Sequence, residues 1–171
     1  MDKILFRIAR LKIMGTFVGY AFAYFPFLIP VKEIIKNKKA VSFKHPSATY
    51  PDHVLIIPRK ILRTVFCLSG EDLTEIIGMA VKIRHGDSRD FVLLINGGRR
   101  QDVMQAHFHL FTGNLAVKKG FSKRIDMHLL LKDKCIDSNL RILLKQHGIS
   151  EKYFSIIIQF VKSAEPSMYF M

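Results

Sequence analysis

Cysteine and acidic side chains are both scarce in this chain. Two cysteines in 171 residues cannot build a disulfide scaffold. Cys67 and Cys135 form no C-x-x-C pair either, which excludes a cysteine-rich zinc site. Only 14 Asp and Glu stand against 27 Lys and Arg, for a net charge of +13. That balance calls for anionic partners: phosphates, nucleic acid or an acidic membrane surface. The excess is spread along the chain, with no purely basic tail. No internal repeat and no low-complexity tract is present. Nucleic acid is not the expected partner, because no basic stripe interleaved with exposed aromatics is seen.

What the chain does have is apolar material. Hydrophobic residues make up 49% and charged residues 24%, a balance that excludes a disordered chain. The length suits one domain with appendages and a core that needs no covalent staples. Residues 1–30 differ from the rest. Lys3, Arg7, Arg10 and Lys12 precede an uncharged run of 17 residues, Met14 to Pro30. A spanning helix needs about 20 apolar residues, and Pro26 and Pro30 shorten the usable helix further. The favoured reading is a hydrophobic helix in a membrane surface, basic residues at the headgroups. A true span, a signal peptide and packing on the protein itself stay open. The expected location is the cytoplasm, or the cytoplasmic side of a membrane.

The remaining chain alternates short apolar runs with amphipathic segments. Ala40–Phe43, Val54–Ile57, Phe91–Ile95, Gln105–Phe111 and Tyr153–Val161 read as strands. Ser69 is a good N-cap for a helix carrying Leu73, Ile76, Ile77, Ala80 and Val81 at helical spacing and closed by Gly86. A second helix runs roughly from Ser138 to His147, before Gly148. This order predicts an α+β fold with a mostly antiparallel sheet.

Gln105-Ala106-His107-Phe108-His109-Leu110-Phe111 is the chemically informative segment. Strand alternation puts Gln105, His107, His109 and Phe111 on one face and Ala106, Phe108 and Leu110 on the other. His53, just ahead of another strand, can supply a further imidazole. A metal site lacks a recognisable third ligand, and neither metal nor cofactor is expected. Asn96-Gly97-Gly98-Arg99-Arg100 follows a strand end. Glycines let backbone N–H groups approach an anion, and Arg suits phosphate oxygens.

The chain resembles the histidine triad (HIT) family, whose signature is His-x-His-x-His-x-x with x apolar. The likeness runs from about Val31 to Asn114. It includes AVSFKHPSATYPDHVLIIPRK, the helix after Ser69, FVLLINGG and RRQDVMQAHFHLFTGN. It implies a HIT-like domain over 31–115, between a hydrophobic N-terminal segment (1–30) and a C-terminal helix–strand extension (116–171). It further implies a nucleotide phosphohydrolase or nucleotidyltransferase that acts at the α-phosphate through a nucleotidyl-histidine intermediate. His107 matches the nucleophile and His109 a phosphate contact. Gln101 matches a glutamine near the leaving oxygen, Asn96 an asparagine lining the phosphate site, and His53 the histidine before the second family strand. With Gly97, Gly98 and Arg99 these make up the expected nucleotide site. Three positions depart from the family. Gln105 replaces the first motif histidine and cannot titrate. His45 stands where an acid usually holds the ribose. Asp102 also stands where small hydroxyl residues are common. The resemblance leaves open a homodimer, and also a degenerate domain that binds a nucleotide or a protein without turnover.

Overall fold

The computed structural model describes residues 21, 33–45, 48–101, 103–113, 124–162 and 164–171. Apart from Ala21, the hydrophobic segment read from 1–30 lies outside the described residues, as do Asp102 and Asn114. Among the described residues, no helix is long and apolar enough to cross a membrane.

Among the described residues, eight strands form one sheet: β1 (Glu33–Lys36), β2 (Ala40–Lys44), β3 (Val54–Pro58), β4 (Phe91–Gly98), β5 (Phe108–Thr112), β6 (Arg124–Ile125), β7 (Tyr153–Phe160) and β8 (Ser167–Phe170). Their order across the sheet is β1-β2-β3-β5-β4-β7-β8-β6, and every pairing is antiparallel. The helices that lie wholly among the described residues are α1 (Gly70–Ile83), the single turn α2 (His128–Leu131) and α3 (Asp137–Gln146). The fold is the α+β class with a mostly antiparallel sheet that the sequence predicts.

The continuous apolar runs are strands buried on both faces. One face of the sheet carries Val54, Ile56, Leu93, Ile95, Phe108, Leu110, Ile156 and Ile158, in one core with Leu73, Ile76, Met79 and Ala80 of α1 and Leu140, Leu143 and Leu144 of α3. Burying a side chain of this size stabilises the fold by about 1.5–3 kcal/mol. The other face holds two smaller clusters. Val41, Phe43, Leu55 and Ile57 form one; Val92, Leu94, Phe111 and Ile157 form the second, with Tyr50, Tyr169 and Met171 against it. His45, His53, His107 and His109 lie on this second face.

The extension is part of the sheet. Strand β7 pairs with β4 over its whole length, from Phe91 opposite Phe160 to Gly98 opposite Tyr153. Strand β8 follows β7. Its sequence, SMYF, is too short for its alternation to stand out.

Helix α1 starts as expected. The Ser69 hydroxyl oxygen accepts from the Asp72 backbone N–H (3.1 Å), and the Asp72 carboxylate accepts from the Ser69 backbone N–H (2.9 Å), a reciprocal capping box. Lys60 pairs with the same carboxylate. Burial pushes the Asp72 carboxyl up, but the bonds from Lys60 and Ser69 outweigh it and hold it below the usual value of 3.8. A carboxyl depressed by folding stabilises the protein above its unfolded pKa, and that contribution is lost as pH falls through the folded value. Asp72→Asn is therefore expected to cost about 1 kcal/mol at neutral pH. Its deficit in thermal melts should shrink as pH falls below 3.8. A deficit that stays constant with pH rejects the assignment.

Candidate functional site

Strand β5 sits between β3 and β4. Its register sets Leu55 of β3, His109 of β5 and Leu94 of β4 side by side, continued by Phe43 on β2 and Ile157 on β7. His109 is thus the polar member of an otherwise apolar row. One row over, the backbone N–H of His45 donates to the carbonyl of His53 (2.9 Å), which places these two rings beside each other. They stack with centroids 4.1 Å apart and planes inclined by 10°. Tyr50 stacks on Phe111 at 4.1 Å and meets His53 edge-on at 5.5 Å. The loop ahead of His53 is anchored from below. Arg84, the C-cap residue of α1, is buried and donates through Nη2 to the Asp52 carbonyl (2.6 Å). Asp52 itself takes a left-handed φ of 52°.

Four imidazoles converge here. His53 Nε2 and His109 Nδ1 lie 3.0 Å apart and share one proton. The other nitrogen of His53, Nδ1, is buried without a hydrogen-bond partner. A buried N–H left unpaired costs more than a bare lone pair, so the His53 proton belongs on Nε2. His53 then donates to His109 Nδ1, and His109 carries its own proton on Nε2, ready to donate. Burial, and next the charge of His45, push His53 down to about 4. Burial, and then His107, His53 and His45, push His109 down to about 2. Both rings are neutral at pH 7.

His107 meets His109 edge-on with ring centroids 5.0 Å apart. Its Nδ1 lies 2.8 Å from the carbonyl oxygen of Gln105. A carbonyl can only accept, so Nδ1 carries the proton and Nε2 holds the lone pair.

Gln105 departs from the sequence expectation. The strand begins at Phe108, not at Gln105, and the Gln105 side chain does not line up with the imidazoles. It is fully buried, accepts from the Leu62 N–H (3.2 Å) and donates to the Lys60 carbonyl (3.0 Å). Neighbouring Ala106 adds an N–H bond to the Leu62 carbonyl (2.6 Å). These unpaired backbone groups after β3 take residues 105 and 106 out of regular strand alternation. Gln101 is engaged in the same way, donating to the carbonyls of Arg63 (2.6 Å) and Val103 (2.7 Å).

Asn96 lies near the end of β4, two residues from Leu94 and on the face of His109. The Ser155 hydroxyl donates to Asn96 Oδ1 (2.7 Å), which fixes the amide and turns its N–H₂ end to act as the donor. Ser155 is fully buried on β7 and accepts in turn from Arg100 Nη1 (3.1 Å). Arg100 also donates to the Met171 carbonyl and lies over the Tyr153 ring at 4.4 Å. Arg99 is exposed, with its backbone N–H on the Lys152 carbonyl (2.7 Å). Neither Ser155 nor Tyr50 stood out in the sequence. The one available signal was a lone serine inside the apolar run Tyr153–Phe160.

Gly97 and Gly98 serve this pairing. A Cβ on Gly97 would lie 2.2 Å from the Phe154 ring, and one on Gly98, whose φ is 60°, 2.4 Å from the Lys152 backbone. Gly97→Ala is expected to cost about 1–3 kcal/mol in urea unfolding. The cost should be smaller in a Phe154→Leu background, because the two substitutions share one contact. Additive effects reject the steric account.

The fold has counterparts among solved structures. A histidine triad protein from Clostridium difficile is 20% identical, with a TM-score of 0.47 over 60% of this chain and 90% of its own. A HIT family hydrolase from Legionella pneumophila is 25% identical, with a TM-score of 0.44 over 52% of this chain and 87% of its own. Yeast Ap4A phosphorylase, in its complex with AMP, is 9% identical, with a TM-score of 0.52. That match takes in 91% of this chain, extension included, and 64% of the phosphorylase. No curated protein matches the sequence. The HIT domain matches residues 28–115, just over half of the chain, and spans β1 to β5 with every imidazole of the cluster. The chain belongs to the HIT domain family.

Proposed function

We propose that this protein is a nucleotide phosphohydrolase or nucleotidyltransferase with His107 as its nucleophile. The observation that carries the reading is the 2.8 Å contact of His107 Nδ1 with the Gln105 carbonyl, which leaves the lone pair on Nε2. A HIT domain and a net charge of +13 favour a phosphate substrate. AMP and Ap4A are ligands of the yeast phosphorylase that shares the fold, and we carry that ligand class to this chain as part of the proposal.

In this reading Nε2 of His107 attacks the α-phosphorus, and the bond from phosphorus to the leaving oxygen breaks. The leaving group takes its proton from solvent. The ring, still protonated on Nδ1, becomes positively charged on forming the P–N bond, and the Gln105 carbonyl dipole offsets that charge. Water or another acceptor oxygen then attacks phosphorus, gives up a proton and releases His107 as a neutral ring. Two displacements replace one. The Nε2–H of His109 and the amide N–H₂ of Asn96 donate to the phosphate oxygens. The membrane association and the homodimer read from the sequence stay proposals, and a degenerate binding domain is the outcome to exclude.

His107→Ala should lower turnover of dinucleoside polyphosphates and nucleoside phosphoramidates by roughly a thousandfold or more. Binding measured by calorimetry should stay within a few-fold, because Asn96 and His109 remain. Acid-quenched wild-type reactions should yield a labelled phosphohistidine that the variant lacks. Gln105→His should not raise the rate, because the Gln105 side chain is buried against the Leu62 and Lys60 backbone and does not face the imidazoles. A wild-type protein that binds these nucleotides but is as inactive as His107→Ala establishes the degenerate domain instead.

A further inference from the structure

The sequence offers no third partner for a histidine pair, but the fold supplies one. One ring nitrogen each from His45, His53 and His109 lies within 4.8 Å of the other two. The rings come from different places: His45 from just past β2, His53 from just before β3, and His109 from β5. Antiparallel pairing therefore builds the cluster, and no local motif announces it.

From this arrangement we infer a divalent transition-metal site, of the zinc class, formed by His45, His53 and His109. The inference stands apart from the nucleotide chemistry, since neither needs the other. A tetrahedral ion with metal–nitrogen bonds of about 2.0–2.1 Å holds its ligand atoms about 3.3 Å apart. His53 Nε2 and His109 Nδ1 are already 3.0 Å apart. His45 is half-buried beside them and needs only a modest ring movement to close the set. The His53 ring is 4% exposed and would shield an ion held on its Nε2 from bulk water.

The donor set also fixes the class of ion. Three imidazoles with no carboxylate in the group suit zinc, cobalt, nickel or copper and not magnesium or calcium, which prefer oxygen. Three protein nitrogens leave a fourth position for water or for an oxygen of a bound phosphate. His107 is outside the set, although its ring lies 5.0 Å from that of His109.

The test is a cobalt(II) titration of the metal-free full-length chain, followed by visible absorption and by calorimetry. One equivalent should bind saturably with the intense visible bands of a four-coordinate site, and zinc should displace it. Magnesium should neither bind there nor compete. His45→Asn and His53→Gln, each checked for a native circular dichroism spectrum, should bind at least tenfold more weakly. His107→Ala should bind as the parent does. The inference is overturned by no saturable uptake, by full affinity in a folded His45→Asn, or by near-ultraviolet thiolate bands assigning the ion to Cys67 or Cys135. The phosphohistidine trap reads His107 alone, so failure of either experiment leaves the other interpretable.

Discussion

The placement of β5 between β3 and β4 is the constraint on which the site depends. The strand is only five residues long, yet its register brings His109 opposite Leu55 on one side and Leu94 on the other. A slip of one residue would turn His109 into the helix-side core and Phe108 and Leu110 out of it. The apolar partners Ile56, Leu93 and Ile95 forbid that exchange. A hydrophobic core thus fixes where the imidazoles stand, and the imidazoles do not have to hold themselves there.

That placement also sets their electrostatics. Four rings share a small, mostly apolar volume, where each charge raises the cost of the next. His53 and His109, joined by one shared proton, are the pair that burial keeps neutral. In that state an imidazole retains a lone pair, whether for phosphorus or for a metal ion. His45 brings an imidazole and not a carboxylate to this group, which keeps a negative charge away from it.

Much of this was legible in the sequence because it rests on local pattern. The apolar runs of β3, β4 and β7, the Ser69 cap and the His107–His109 pair all announce themselves within a few residues. Gln105 did not, because its orientation is decided by the Leu62 and Lys60 backbone more than forty positions earlier. The meeting of His45 with His109 depends on three strands pairing in a given register. The role of Ser155 depends on β7 lying beside β4. The room that Gly97 leaves for Phe154 and Gly98 for Lys152 likewise depends on β7 lying beside β4, which no local pattern announces.

The neighbour of β4 comes from the same chain. The hydrogen bond from Ser155 to Asn96 is consequently an intramolecular closure over 59 residues. Its cost is a loop entropy that grows only slowly with length. Mass action does not enter: the link forms to the same extent in a dilute solution as in a crowded one.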